Sequence, residues 1–186
     1  MGREIRMVPP NWKHPMMEPD PIHWIPGVGL KHDPSLQPMY DRDYEEASAN
    51  WKKELAEWEA GIRPDYFDAT EYPNGIDFWE WDSGPPERKY YRPWKDADAT
   101  WYQLWETVSE GTPVSPPFAT KEELAAYLAE HGDDWDKKRG HGGWGVERAN
   151  AFVGTGWVPS MMIQGGKIYE SKDIALKFQN DKAATK

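Results

Sequence analysis

Carboxylates and hydroxyls crowd one short stretch of this chain: Glu106, Ser109, Glu110, Thr112 and Ser115 all fall within ETVSEGTPVS. A hydroxyl beside a base is the minimum equipment for nucleophilic catalysis. Two carboxylates at a fixed separation can instead do the acid–base work of glycoside hydrolysis, and tryptophan-rich surfaces stack on sugars. The pattern stops short of a signature. There is no Gly-x-Ser-x-Gly elbow and no histidine close in sequence, and nothing fixes the distance between Glu106 and Glu110. The competing reading is that these hydroxyls satisfy backbone groups inside a proline-rich turn. If the chain is an enzyme, these five residues are its catalytic candidates. The reading preferred from sequence has no catalytic residue.

Histidines are the next place to look for a base or a metal ligand. His14, Glu18, Asp20 and His23 fall within ten residues, with His32 nearby. They lie among prolines without helical spacing, whereas a zinc or iron site needs ligands at set distances on a rigid frame. Neither a metal nor a cofactor is expected. The chain has no cysteine, which removes disulfides, thiolate ligands and a cysteine nucleophile. Gly140, Gly142, Gly143 and Gly145 do not follow the phosphate-loop order and read as a flexible loop after Lys137, Lys138 and Arg139.

The most distinctive surface candidate is the run DYFDATEYPNGIDFWEWD over 65–82. It holds six carboxylates (Asp65, Asp68, Glu71, Asp77, Glu80 and Asp82) and no lysine or arginine. Carboxylates supported by an aromatic underlayer could imitate the charge spacing of nucleic acid and dock on a basic protein groove, with electrostatic steering and salt dependence. The plainer alternative is a solvated loop whose aromatics turn inward. The net charge of −10 argues against direct nucleic-acid binding, since phosphate contacts need clustered lysine and arginine.

These residues need a frame. Mean hydropathy is low, at −0.91, but 12 Trp, 9 Tyr and 5 Phe supply a core from few large side chains. Residues 1–40 carry eight prolines, a density that suggests an extended arm lying on the core through Trp12, Ile22, Trp24, Ile25 and Leu36. Tyr44, Ala47, Trp51, Leu55 and Trp58 recur at helical spacing, predicting a helix over 41–60 that stops at Gly61. Ile76 to Asp82, Thr100 to Ser109 and 159–169 read as strands, the last a hairpin turning at Gly165-Gly166. Thr120 and Glu123 form a capping box ahead of a helix over 120–131. Short helices are expected over 146–153 and 173–180.

The segments REIRMVPPNWKHP (3–15), YYRPW (90–94), TWYQLWETVSEGTPVSPPFATKEELAAYL (100–128) and AFVGTGWVPSMMIQGGKIY (151–169) resemble an uncharacterised family of bacteriophage and prophage proteins. The resemblance implies a genomic context, a phage protein acting in a bacterial cytoplasm, and brings no catalytic residue with it. Residues 133–145 look like a variable region in this pattern.

Together these readings give an α+β fold. A small antiparallel sheet is packed by two main helices, with a Pro-rich extended N-terminal arm over 1–40, a globular domain over 41–170 and a C-terminal helix or tail over 171–186. No signal peptide or membrane span is expected. The expected function is a phage accessory protein, in the cytoplasm of the host cell, that binds a host or phage protein with a basic surface. Inhibition of a defence or nucleic-acid enzyme is one form of it. The alternatives are a small enzyme on a nucleotide or sugar using the 106–115 loop, and a minor virion component.

Overall fold

A computed structural model describes residues 2–17, 35–82, 84–107 and 110–184. In chain order, strand β1 is Gly2–Val8, β2 Tyr40–Asp43, helix α1 Tyr44–Glu59, α2 Phe78–Asp82, β3 Tyr91–Arg92, β4 Trp101–Thr107 and β5 Thr112–Pro113. Then follow α3 Lys121–His131, α4 Asp134–Lys138, α5 Val146–Thr155, β6 Trp157–Pro159, β7 Met161–Gln164, β8 Lys167–Glu170 and α6 Ser171–Ala184. The fold is mixed α and β. By packing, the chain forms two compact units, one from 1–40 with 94–186 and the other from 41–93.

The first unit is built on a four-stranded antiparallel sheet in the order β5-β4-β1-β6. Register sets Arg3 opposite Glu106, Ile5 opposite Leu104 and Met7 opposite Tyr102. Side chains alternate along a strand, so these six share one face, while Glu4, Arg6 and Val8 share the other with Trp101, Gln103 and Trp105. Both faces carry a core. Leu104 and Val158 pack with Leu124, Leu128, Phe152 and Ile174 from the helices. On the reverse face, Val8 and Trp105 pack with Met39, Trp94 and Ala99. Gln103, Leu104 and Trp105 are consequently all buried, and β4 shows no solvent face.

This sheet corrects the expected one. Gly2–Val8 was expected as part of an arm, yet it is a central strand, because the prolines start only at Pro9 and leave GREIRMV free to donate to both neighbours. The rest of the expected arm falls largely on 18–34, outside the described residues. Of 159–169 only Pro159 joins the sheet, as the last residue of β6, whose other residues Trp157 and Val158 precede the expected range. Met161–Gln164 and Lys167–Glu170 form a separate hairpin, turning at Gly165-Gly166 as expected.

The expected strand over 76–82 is the short helix α2. The Asp77 carbonyl accepts from the Glu80 and Trp81 N–H groups, and a helical turn brings Phe78 and Trp81 together onto Trp58, which a strand could not do. Helix α1 forms as expected, capped by Asp43, and belongs to the 41–93 unit.

Helix α3 has its capping box, with Thr120 accepting from Glu123 N–H and Glu123 accepting from Thr120 N–H. The loop expected over 133–145 is partly ordered by α4, whose N-cap Asp133 accepts from the N–H groups of Trp135 and Asp136. The chain then runs back along the end of α3, where Trp144 N–H and Gly145 N–H bond Leu128 and Ala129 carbonyls. Gly143 is required by that crossing, since a Cβ there would sit 2.2 Å from the Ala129 carbonyl oxygen.

Candidate functional site

The four described catalytic candidates, Glu106, Glu110, Thr112 and Ser115, do not converge. Ser115 is buried and used by the backbone: its hydroxyl accepts from Leu104 N–H at 3.0 Å and donates to the Pro116 carbonyl at 2.9 Å. Its own carbonyl accepts from the Gln103 amide. Thr112 lies in β5 opposite Glu106. The Glu110 carbonyl accepts from the Arg6 guanidinium, and its carboxylate accepts from the Tyr40 hydroxyl at 3.4 Å. Arg6 itself lies over the Trp105 ring, on the reverse face of the sheet. Glu106 projects from the other face, toward Arg3 and Trp135. The two glutamates thus engage different arginines on opposite faces. Ser109 lies outside the described residues.

Where Glu106 does go is a closely wired polar cluster. Arg3 Nε donates to Asp133 Oδ2 at 3.0 Å, and Arg3 Nη1 lies 3.1 Å from Glu106 Oε1. Trp135 Nε1 donates to Glu106 Oε2 at 2.5 Å, and Trp144 Nε1 to Asp136 Oδ2 at 2.5 Å. His141 Nδ1 sits 3.3 Å and Lys172 Nζ 3.6 Å from Asp136 Oδ1. Burial alone would raise Asp136, but the Trp144 indole, Lys172 and His141 outweigh it and hold the carboxyl below its usual range. Burial likewise opposes the charge on Lys172, and its Glu170 and Asp136 neighbours overcome it, so its pKa is raised. All of the cluster except His141 lines a pocket of about 300 Å³. Glu106 apart, sequence reasoning missed it. The register that pairs residue 3 with 106 and the N-cap at 133 leave no local mark in sequence.

In the 41–93 unit the six acidic residues sit on an aromatic layer. Trp81 is the hub, stacked on Trp58 at 5.4 Å and on Tyr66 at 5.9 Å, with Phe67 edge-on at 5.1 Å. Trp51 and Trp58 clasp Phe78. Asp65, Asp68, Glu71, Asp77 and Glu80 are exposed and Asp82 is half-buried. Among the described residues no ion pair engages the five exposed ones. Asp68 is held below its usual pKa by the Thr70 hydroxyl and N–H, while burial pushes Asp82 up against the opposing charge of Arg42. Tyr66 and Trp79 are 78% and 58% exposed.

A pocket of about 230 Å³ opens in this layer, walled by Trp58, Tyr66, Phe78 and Trp81 and edged by Glu54, Glu57 and Asp82. The chain's own Arg63 lies 3.8 Å over the Trp58 ring, its Nη1 donating to the Trp58 carbonyl at 2.6 Å. That contact is a working example of how a guanidinium is received here: an aromatic face beneath, a carbonyl acceptor beside it and carboxylates around the rim.

No group of three or more histidine or acidic residues among the described residues could hold a metal ion. Of the metal candidates, Glu18, Asp20, His23 and His32 lie outside the described residues. His14 is half-buried, 2.6 Å from the Gln37 carbonyl through Nε2. Among the described residues no helix is long and apolar enough to cross a membrane. The chain matches no protein-family profile, no curated protein and no solved structure.

Proposed function

We propose that this is a phage accessory protein that acts by binding a basic protein surface, of the host or of the phage, through the acidic and aromatic face of the 41–93 unit. Blocking a defence or nucleic-acid enzyme at its basic groove is the form of the proposal that the acidity favours. The single observation that carries it is the set of exposed carboxylates that no cation among the described residues engages, in a segment with exposed aromatic rings and a pocket where Arg63 already exemplifies the contact. Carboxylates without partners cost little when exposed and contribute most when an arginine or lysine arrives. Opposite charge speeds the encounter, and stacking on Tyr66 or Trp79 adds a contact that salt does not screen. The phage setting rests on the sequence resemblance. Ser115 bracing the turn and the glutamates facing opposite ways give the enzyme reading no comparable support.

The test compares capture from host lysate by the wild-type chain and by a variant neutralised at Asp65, Asp68, Glu71, Asp77 and Glu80 to their amides. A second variant, Tyr66→Ala with Trp79→Ala, leaves the charge intact. Binding of the same partner should weaken at rising salt and be lost in both variants. Capture that survives neutralisation sinks the proposal. Loss in the charge variant alone reduces it to nonspecific attraction and counts against the aromatic part.

A further inference from the structure

The pocket of about 300 Å³ in the first unit is not used by the proposed function, and its chemistry is unlike that of the acidic face. Its lining includes two buried polar atoms that find no hydrogen-bond partner among the described residues, Arg3 Nη1 and Ser160 Oγ. Arg3 Nη1 stands in ion-pair contact with Glu106, yet makes no hydrogen bond, and its side chain is only 10% exposed. A buried polar atom left without a hydrogen bond costs on the order of 1–3 kcal/mol, which makes Ser160 Oγ the clearest open partner in this pocket and leaves Arg3 Nη1, ion-paired to Glu106, able to donate to a further acceptor.

Around these donors are acceptors with spare lone pairs. Both oxygens of Glu106 and the Oδ2 of Asp136 each have one bond or ion pair and retain room for one more donor, while Asp136 Oδ1 is already shared by His141 and Lys172. The wall is apolar: Met161 and Ile168 of the hairpin, and the indole of Trp135, 41% exposed and anchored by its Nε1 to Glu106. Lys138 lies 5.0 Å from the Trp135 ring and caps it.

We infer that this pocket binds a neutral polyhydroxyl ring, a saccharide unit, held against Trp135 with its hydroxyls on Arg3, Ser160, Glu106 and Asp136. The charges select this class. An anion would meet Glu106, Asp133, Asp136 and Glu170; a cation would meet Arg3, Arg139 and Lys172. A hydroxyl both donates and accepts, and so answers the unfilled donors and the spare lone pairs together. A sugar ring also has an apolar face for indole, Met161 and Ile168, and the cavity is at the small end of ligand-binding volumes.

The full chain, labelled with ¹⁵N, is titrated with maltose, with cellobiose and with inorganic phosphate while the indole N–H resonances of Trp135 and Trp144 are followed. A saturable shift of both is expected with at least one disaccharide, and none with phosphate. Ser160→Ala should weaken that binding roughly three- to tenfold, the loss of one hydrogen bond. The same variant should melt no lower than wild type, since it deletes an unpartnered buried hydroxyl. Trp135→Ala, an exposed position, should abolish saturation. Absence of a saturable shift with either disaccharide overturns the proposal. So does unchanged affinity in Ser160→Ala, or phosphate binding tighter than the sugars.

Discussion

Two regions of this molecule use the same side chain for opposite ends. In the first unit Glu106, Asp133 and Asp136 are buried or nearly so, and each is held by a cation or an indole. In the 41–93 unit Asp65, Asp68, Glu71, Asp77 and Glu80 face solvent with no cation among the described residues to hold them. A buried carboxylate has lost its water and must be compensated within the fold, so it acts on stability. An exposed one keeps its water, adds almost nothing to stability and stays available to an incoming charge. The difference teaches that acidity in this chain is two properties, one structural and one for recognition.

Breaking the buried side should show the largest effect. Arg3→Met leaves Asp133 and Glu106 facing each other without their shared guanidinium, and removal of one partner from a buried ion pair costs about 3–5 kcal/mol. Urea unfolding of this variant should show a loss of that size. A loss below about 1 kcal/mol would mean that Arg3 is solvated and that the contrast between the regions is false. Adding Asp133→Asn with Glu106→Gln should restore part of the loss, because the stranded charges go with it.

The same contrast explains what could be read from sequence. Helix α1, the capping box at Thr120 and Glu123 and the turn at Gly165-Gly166 are written in local spacing, and all three are present. The acidic residues over 65–82 were legible for the same reason, as composition within one short run. The Arg3 cluster was not, since its members come from 3, 106, 133–144 and 172 and meet only through strand register and the return of the chain over Gly143. The helix at 78–82 was misread as a strand because aromatic residues suit both. What decides it is a tertiary contact, Phe78 and Trp81 on Trp58.

Acid titration sharpens the comparison through opposite signs. Asp136 has a lowered pKa in the fold, so the stability it contributes is present above the ordinary carboxylate range and is lost as pH falls through its lowered value. Asp82 has a raised pKa, so its effect is most favourable at low pH and is lost as pH rises through its folded value. Asp136→Asn should therefore lower Tm at neutral pH, with the difference from wild type shrinking on acidification. Asp82→Asn should raise Tm slightly at neutral pH, and that gain should also vanish in acid. Melting curves between about pH 7 and about pH 3 check both, and equal signs for the two variants would refute the division.

The smallest expected effect on stability is the most telling for recognition. Asp65→Asn with Glu71→Gln removes two exposed charges that no cation among the described residues engages. Stability should stay within about 0.5 kcal/mol of wild type, with any change favourable, since like charges nearby are relieved. Association with a basic partner should nevertheless slow, and its rate should depend less steeply on ionic strength, because exposed charges act on the encounter more than on the bound contact. Stopped-flow mixing with an oligoarginine peptide, followed by tryptophan fluorescence at two salt concentrations, separates the two quantities. A slower, flatter association at unchanged Tm is what a recognition surface gives. A fall in Tm with association unaltered would place these carboxylates with the structural ones, and the two regions would then differ only in burial.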